Sequence, residues 1–311
     1  LKIEGILCYS IRAFTLKIQK ELYKMSKIQI MTDSASDISV ADEKEHSIAI
    51  IPFPIVLGGK SYTSRVDFDN DQFYAMMAAN DGIPMTSQIT PFQFMDIYLE
   101  QAKAGVNDLI LVLINSKGSS TYNNSVQAIE LFQEEHPEFT DFRVHSFDGI
   151  GYNASYGKPV VEAAKMNENG ASAEEICAYL KDVLPRRELF FGIYDLKYAA
   201  KSGRIPTAAA FLGNTLNLKP VMKIFDNEIT TAVKCRGEKN LVKKVAELSL
   251  ADMEPGSPYE LVYGCDAQCL EEIRTAMVQA LGYEPDGEYQ IGAAVAANAG
   301  PKVVGVAFTK K

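Results

Sequence analysis

Positive charge is in short supply in this chain. Against 40 Asp and Glu stand only 31 Lys and Arg, which leaves a net charge of −9 over 311 residues. That balance excludes a general nucleic-acid or polyanion binder, because phosphate backbones are held by clustered Lys and Arg. Long apolar runs are also missing. None reaches the roughly 18–20 residues that a bilayer-spanning helix needs, so no stable membrane anchor is expected. The cysteines are few, odd in number and scattered: Cys8, Cys177, Cys235, Cys265 and Cys269. With no secretory signal ahead of them, they point to free thiols in a reducing cytoplasm. Cys265 and Cys269 lie four apart, yet no His stands near them to complete a metal site, and none is expected. Histidine is limited to His46, His136 and His145. His136, in the acidic stretch EEHPE, reads as a surface-loop residue, and His145 as a structurally engaged imidazole at a strand end.

Phosphate loops are absent as well. A dinucleotide fingerprint needs G-x-G-x-x-G after the first strand, which here ends in Asp33-Ser34-Ala35-Ser36-Asp37. No GxxxxGK[ST] occurs either, so no nucleotide cofactor is expected. A hydrolase elbow would need G-x-S-x-G, where the chain has Gly118-Ser119-Ser120-Thr121-Tyr122. With so few bases available, a Ser-His-Asp triad is disfavoured.

What the chain does have is a large apolar fraction, 47%, and a length that favours two domains. KIQIM (27–31), LILVLI (109–114) and FRVHSF (142–147) are apolar runs ending in polar loops. Between them lie amphipathic stretches such as FQFMDIYLEQAKA (92–104) and SVQAIELFQEE (125–135). Strands alternating with helices predict an α/β domain with a mainly parallel sheet, whose ligands gather beyond the strand carboxyl ends. A helix from about Tyr156 and another in ASAEEICAYLKDVLP lead into strand-rich text: ELFFGIYDL, VMKIFDNEITTAVK, YELVYGCD and YQIGAAVA. Asp226-Asn227 marks a hairpin within it. The second half is therefore expected to be α+β with a largely antiparallel sheet. The divisions are an N-terminal extension over 1–25, an α/β ligand-binding domain over 26–165 and a second domain over 166–311.

Hydroxyls cluster at two loops. One is IPMTSQITPF with Thr86 and Ser87; the other is INSKGSSTYNNS (114–125) with Ser116, Ser119, Ser120 and Thr121. Some of these are candidates for helix caps, Thr86-Ser87 for a helix near Pro91 and Ser119 to Thr121 for one near Tyr122. Hydroxyls and helix amino termini also suit a carboxylate held without a full countercharge.

In these segments the chain resembles the DegV family of bacterial fatty-acid-binding proteins. IQIMTDSASDIS, PMTSQITP, INSKGSSTYNNS, DLKYAAKSGRI, LKPVMKI and the terminal IGAAVAANAGPKVVGVAF follow the family's order from about 27 to 308. The resemblance implies a single long-chain fatty acid, such as palmitate or oleate, buried in the first domain near its border with the second. It implies that Thr86 and a serine, Ser116 or Ser119, hold the carboxylate. Arg204 then lies near the carboxylate end, where some members present the acid to a separate fatty acid kinase that makes an acyl phosphate with ATP. Three positions depart from the pattern. Asn298 stands where the family usually has a histidine, Lys302 where a small residue is common, and Asn115 and Lys117 where Ser and Gly are usual. The alternative is a serine-dependent hydrolase or acyltransferase using Ser116 or Ser119, which would need an activating base.

Overall fold

The structure, a computed structural model, describes residues 27–205 and 218–311. The extension expected over 1–25 lies outside the described residues. In chain order the first half contains β1 (Ile28–Asp33), α1 (Val40–Glu45), β2 (Ala49–Ile51), β3 (Pro54–Leu57), β4 (Lys60–Thr63), α2 (Asn70–Ala79) and β5 (Met85–Thr86). It continues through α3 (Pro91–Lys103), β6 (Asp108–Leu113), α4 (Thr121–Glu135), β7 (Arg143–Asp148) and α5 (Ala154–Glu168).

Strands β2-β1-β6-β7 form a four-stranded, wholly parallel sheet. Strand β6, DLILVL, is buried at every position, the pattern of a central strand covered on both faces. Helix α3 begins at Pro91 behind Thr90, whose hydroxyl accepts from the Gln93 N–H while the Gln93 side chain accepts from the Thr90 N–H. This capping box corrects the expectation that Thr86 or Ser87 caps α3, and it leaves their hydroxyls for other work. Capping by Ser119 to Thr121 is partial: Ser119 Oγ accepts from the Thr121 N–H at 3.3 Å, while the N-cap, Ser120, makes no side-chain cap bond.

The second half runs through α6 (Ala173–Val183), β8 (Arg187–Ile193), α7 (Leu196–Ser202), β9 (Leu218–Phe225), β10 (Glu228–Arg236) and α8 (Leu241–Asp252). It ends with β11 (Tyr259–Tyr263), α9 (Ala267–Leu281), β12 (Gly287–Gln290), α10 (Ala293–Ala299) and β13 (Val303–Thr309). Its sheet has the order β10-β9-β8-β13-β11-β12, antiparallel except for β11 with β12. Asp226 and Asn227 turn the β9–β10 hairpin with φ of 51° and 63°, as a tight primed turn requires.

Two expectations need correcting. YQIGAAVA is a short strand followed by helix α10, because the small residues of AAVAANA carry neither period. A three-stranded antiparallel sheet, β4-β3-β5, also went unforeseen, its strands being four residues or fewer.

Alternation along the second sheet gives it two apolar faces. Phe190, Val304, Val306 and Phe308 pack against α8 and α9 through Leu241, Val245, Ile273 and Met277. Leu189, Phe191, Ile224, Val262 and Val303 face the other way and share one continuous core with the parallel sheet. The candidate site lies along this shared face.

Candidate functional site

A cavity of about 490 Å³ lies where the carboxyl ends of the parallel strands meet the inner face of the second sheet. Its apolar wall comes from Leu189, Phe191, Ile224, Ile229, Val262 and Val303, with Phe53, Ile114 and Ile291. Helix α10 contributes Ala294, Val295, Asn298 and Ala299. The polar wall consists of Thr86 to Gln88, Ser116 to Ser120, Tyr152, Asn153 and Arg204. Thr86, Ser116, Ser119, Arg204 and Asn298 thus all line one cavity. The cavity lies at the border of the two halves, its apolar wall belonging mainly to the second sheet.

The serine turn is built around Asn115, which is 1% exposed. Its Nδ2 donates to the Ile150 carbonyl at 3.0 Å, and its Oδ1 accepts from the N–H groups of Lys117 and Gly118 at 3.0 and 2.9 Å. This Asx-type closure fixes the turn without using the serines. The Ser116 N–H donates to Asp148 Oδ1 at 3.1 Å. From the hairpin tip, Asn227 Nδ2 donates both to Ser116 Oγ at 3.3 Å and to Asp148 Oδ2 at 2.8 Å. Ser116 Oγ therefore acts as an acceptor and keeps its own proton for a ligand. Next to it, Lys117 pairs with Glu228.

The two hydroxyl loops are stitched together. Ser119 Oγ and Thr121 Oγ1 lie 2.8 Å apart, and Thr121 Oγ1 accepts from the Ile89 N–H at 3.3 Å. Asn124 Nδ2 donates to the Ile89 carbonyl at 2.7 Å. Pairing with Ile55 places Thr86, and the Ser87 N–H donates to the Pro54 carbonyl at 3.1 Å. Among the described residues the Thr86 hydroxyl has no hydrogen-bond partner.

Two buried carboxyls lie behind the cavity, and one of them, Asp37, bonds across to the second half. Asp33 accepts from Tyr156 Oη and the Ile114 N–H, both at 2.7 Å, and from the Ala35 N–H at 3.0 Å. Burial pushes its pKa up to about 6, against the opposing pull of those hydrogen bonds. Asp37 accepts from Asn153 Nδ2 at 2.6 Å and from the Gly292 N–H, ahead of α10, at 2.8 Å. Burial pushes it up to about 7, opposed by those same donors. A Cβ at Gly292 would lie 2.6 Å from Asp37 Oδ1, so glycine permits this close approach.

The outer residues are less tightly held. Arg204 follows Gly203, which ends α7 with φ of 70°, and its guanidinium donates to the Ser202 carbonyl at 2.8 Å. One Asn298 N–H donates back to the Ala294 carbonyl at 2.8 Å. Lys302 pairs with Asp266 at 2.8 Å and does not line the cavity. A second cavity of about 400 Å³, lined by polar groups such as Asn115, Asn227, Glu228 and Ser202, adjoins the first through Lys117, Gly118, Tyr152, Arg204 and Ile229.

None of the histidines stands at the serines. His145 Nε2 meets Asp108 at 2.8 Å at the far end of β6, His46 meets Glu168 at 3.0 Å, and His136 meets Glu138 at 3.4 Å. A hydrolase using Ser116 or Ser119 therefore has no imidazole beside its nucleophile. Tyr152, Asn153, Asp148 and Asn227 are site residues that sequence reasoning passed over; only the turn-forming Asp226-Asn227 carried a signal.

Comparison with known proteins places this geometry. A DegV domain-containing protein of Caldanaerobacter subterraneus is 29% identical over 293 residues, covering 92% of this chain and 100% of that one. A stearic-acid-binding protein from Eubacterium ventriosum shares the fold with a TM-score of 0.81 at 23% identity, over 92% of this chain and 99% of that one. A DegV family protein from Thermus thermophilus, described by its fatty acid binding, matches with a TM-score of 0.78 at 25% identity, over 91% and 99% of the two chains. The sequence model described as "Uncharacterised protein, DegV family" matches residues 27–311, which is every residue from the first strand onward. The chain belongs to the DegV family.

Proposed function

We propose that the chain binds one long-chain fatty acid, such as palmitate or oleate, with its carboxylate held by Thr86 and Ser116 or Ser119. The observation that carries this reading is the division of one cavity into an apolar wall and a hydroxyl rim. Its volume of about 490 Å³ falls in the range of roughly 300–1,000 Å³ typical of small-molecule sites. Burial of an alkyl chain contributes roughly 0.8 kcal/mol per methylene, or on the order of 12 kcal/mol for about 15 of them, before immobilisation costs. The tail drives binding. The headgroup needs enough donors to avoid an unpaired buried anion, and these fix its orientation. Thr86, with an unengaged hydroxyl, and Ser116, with a proton to give, supply such donors.

Arg204, which is exposed, and Asn298, which is half-buried, line the same cavity. There they would present the acid to a separate kinase that forms the acyl phosphate with ATP. On this reading the chain is a lipid-binding subunit rather than an enzyme in its own right. The test is mass spectrometry of lipid extracted from the purified protein, with palmitate and oleate uptake by the stripped protein. A stoichiometric fatty acid supports the reading. A ligand-free protein that takes up neither acid refutes it.

A further inference from the structure

Tyr152 occupies a place in the site that the sequence alone does not mark. It lines both the apolar cavity and the adjoining polar one, standing at the divide between them. Its ring is half-buried, and its hydroxyl has no hydrogen-bond partner among the described residues. That hydroxyl is not sealed away from the two cavities it borders, so a polar group entering either one can reach it.

The protein makes room for this hydroxyl. A Cβ on Gly118 would lie 1.8 Å from Tyr152 Oη and 2.9 Å from Cζ, so any other residue there displaces the ring. Gly118 is not among the glycines with positive φ, and the turn itself therefore does not demand glycine. The phenol does. Gly118 sits between Ser116 and Ser119, which brings Oη against the stretch of backbone that carries the proposed carboxylate ligands. Burial pushes the Tyr152 pKa up to about 12, with Arg204 lowering it and Asp148 raising it further, so at neutral pH the group is a donor.

We propose that Tyr152 is a further headgroup ligand, its phenol donating a hydrogen bond to the carboxylate at the boundary between the two cavities. The inference rests on the fatty-acid reading above. It adds that Tyr152, kept in place by Gly118, contributes to preference for the free acid over its neutral derivatives, since a donor to an anionic oxygen is worth more than one to an ester carbonyl.

The test compares palmitate with methyl palmitate by displacement of a fluorescent fatty acid from the full chain and from Tyr152→Phe, which keeps the ring and loses only the hydroxyl. Palmitate affinity should fall about tenfold and that for the ester threefold at most, so the acid-to-ester ratio drops. Gly118→Ala, which evicts the phenol sterically, should reproduce that selective loss. Equal weakening of both ligands, or unchanged palmitate binding in either variant, overturns the role of Tyr152 while leaving the lipid site standing. If the unaltered protein binds neither ligand, the fatty-acid reading itself falls, and this inference with it.

Discussion

Thr86 and Ser116 offer their hydroxyls to the cavity in different ways. Thr86 has no hydrogen-bond partner among the described residues, whereas Ser116 accepts from Asn227 and has only its own proton to give. Thr86→Ala and Ser116→Ala should each weaken palmitate binding by about 1–3 kcal/mol, measured by titration calorimetry. Thr86→Ala should leave the melting temperature unchanged, while Ser116→Ala should lower it slightly because Asn227 loses an acceptor. Arg204→Ala should impair acyl-phosphate formation with a kinase more than it reduces co-purified lipid. Equal loss of both would rule out separate roles for binding and presentation. That Thr86, Ser116, Ser119, Arg204 and Asn298 would line one cavity was legible from sequence, because polar residues at strand and helix ends were read against a family pattern. The part played by Asn227, Asp148 and Tyr152 was not. Asn227 reaches its partners across 79 and 111 residues of chain, and no local pattern encodes such a meeting.

At the scale of elements, the β9–β10 hairpin is both a structural unit and a brace. Its turn was legible, since Asp-Asn between apolar runs calls for positive φ at both positions. Its docking onto the serine turn, through Asn227 and the Lys117–Glu228 pair, was not. Asn227→Gly should separate the two functions. Glycine tolerates the φ of 63°, so the hairpin persists and stability changes by only about 1 kcal/mol. Lipid affinity should fall several-fold as Ser116 loses its orienting donor, a result that denaturant melts and lipid titration together would register. Buried strands such as β6 were readable from unbroken apolar runs. The strands of the small sheet were too short to show a period, and α10 too rich in alanine to declare one.

Across the whole molecule, the junction behind the cavity is electrostatic as well as apolar. Helix α5 packs against both sheets, and the division proposed at 165/166 falls within it. Burial pushes Asp33 and Asp37, which bond to Tyr156 and Asn153 at the start of this helix, up to about 6 and about 7 from an ordinary 3.8. Folding therefore favours their protonated forms. The resulting stabilisation is full below about 3.8 and is lost as pH rises through about 6 and about 7. Asp37→Asn removes one of these titrations, so the stability advantage of the unaltered chain over this variant should be larger at pH 5 than at pH 8 in urea melts. A pH-independent difference would contradict the assignment. The two sheet types were visible in the sequence; their shared face was not, because it depends on which side of the second sheet turns toward the first.

That shared face leaves a hollow beside the continuous core that joins the two sheets. A guest that fills the hollow becomes part of the scaffold, adding its own binding energy to the resistance against unfolding. If the fatty-acid reading holds, a cell starved of such guests would hold a softer population of this protein, more open to proteases, and its abundance would then follow the supply of the acid.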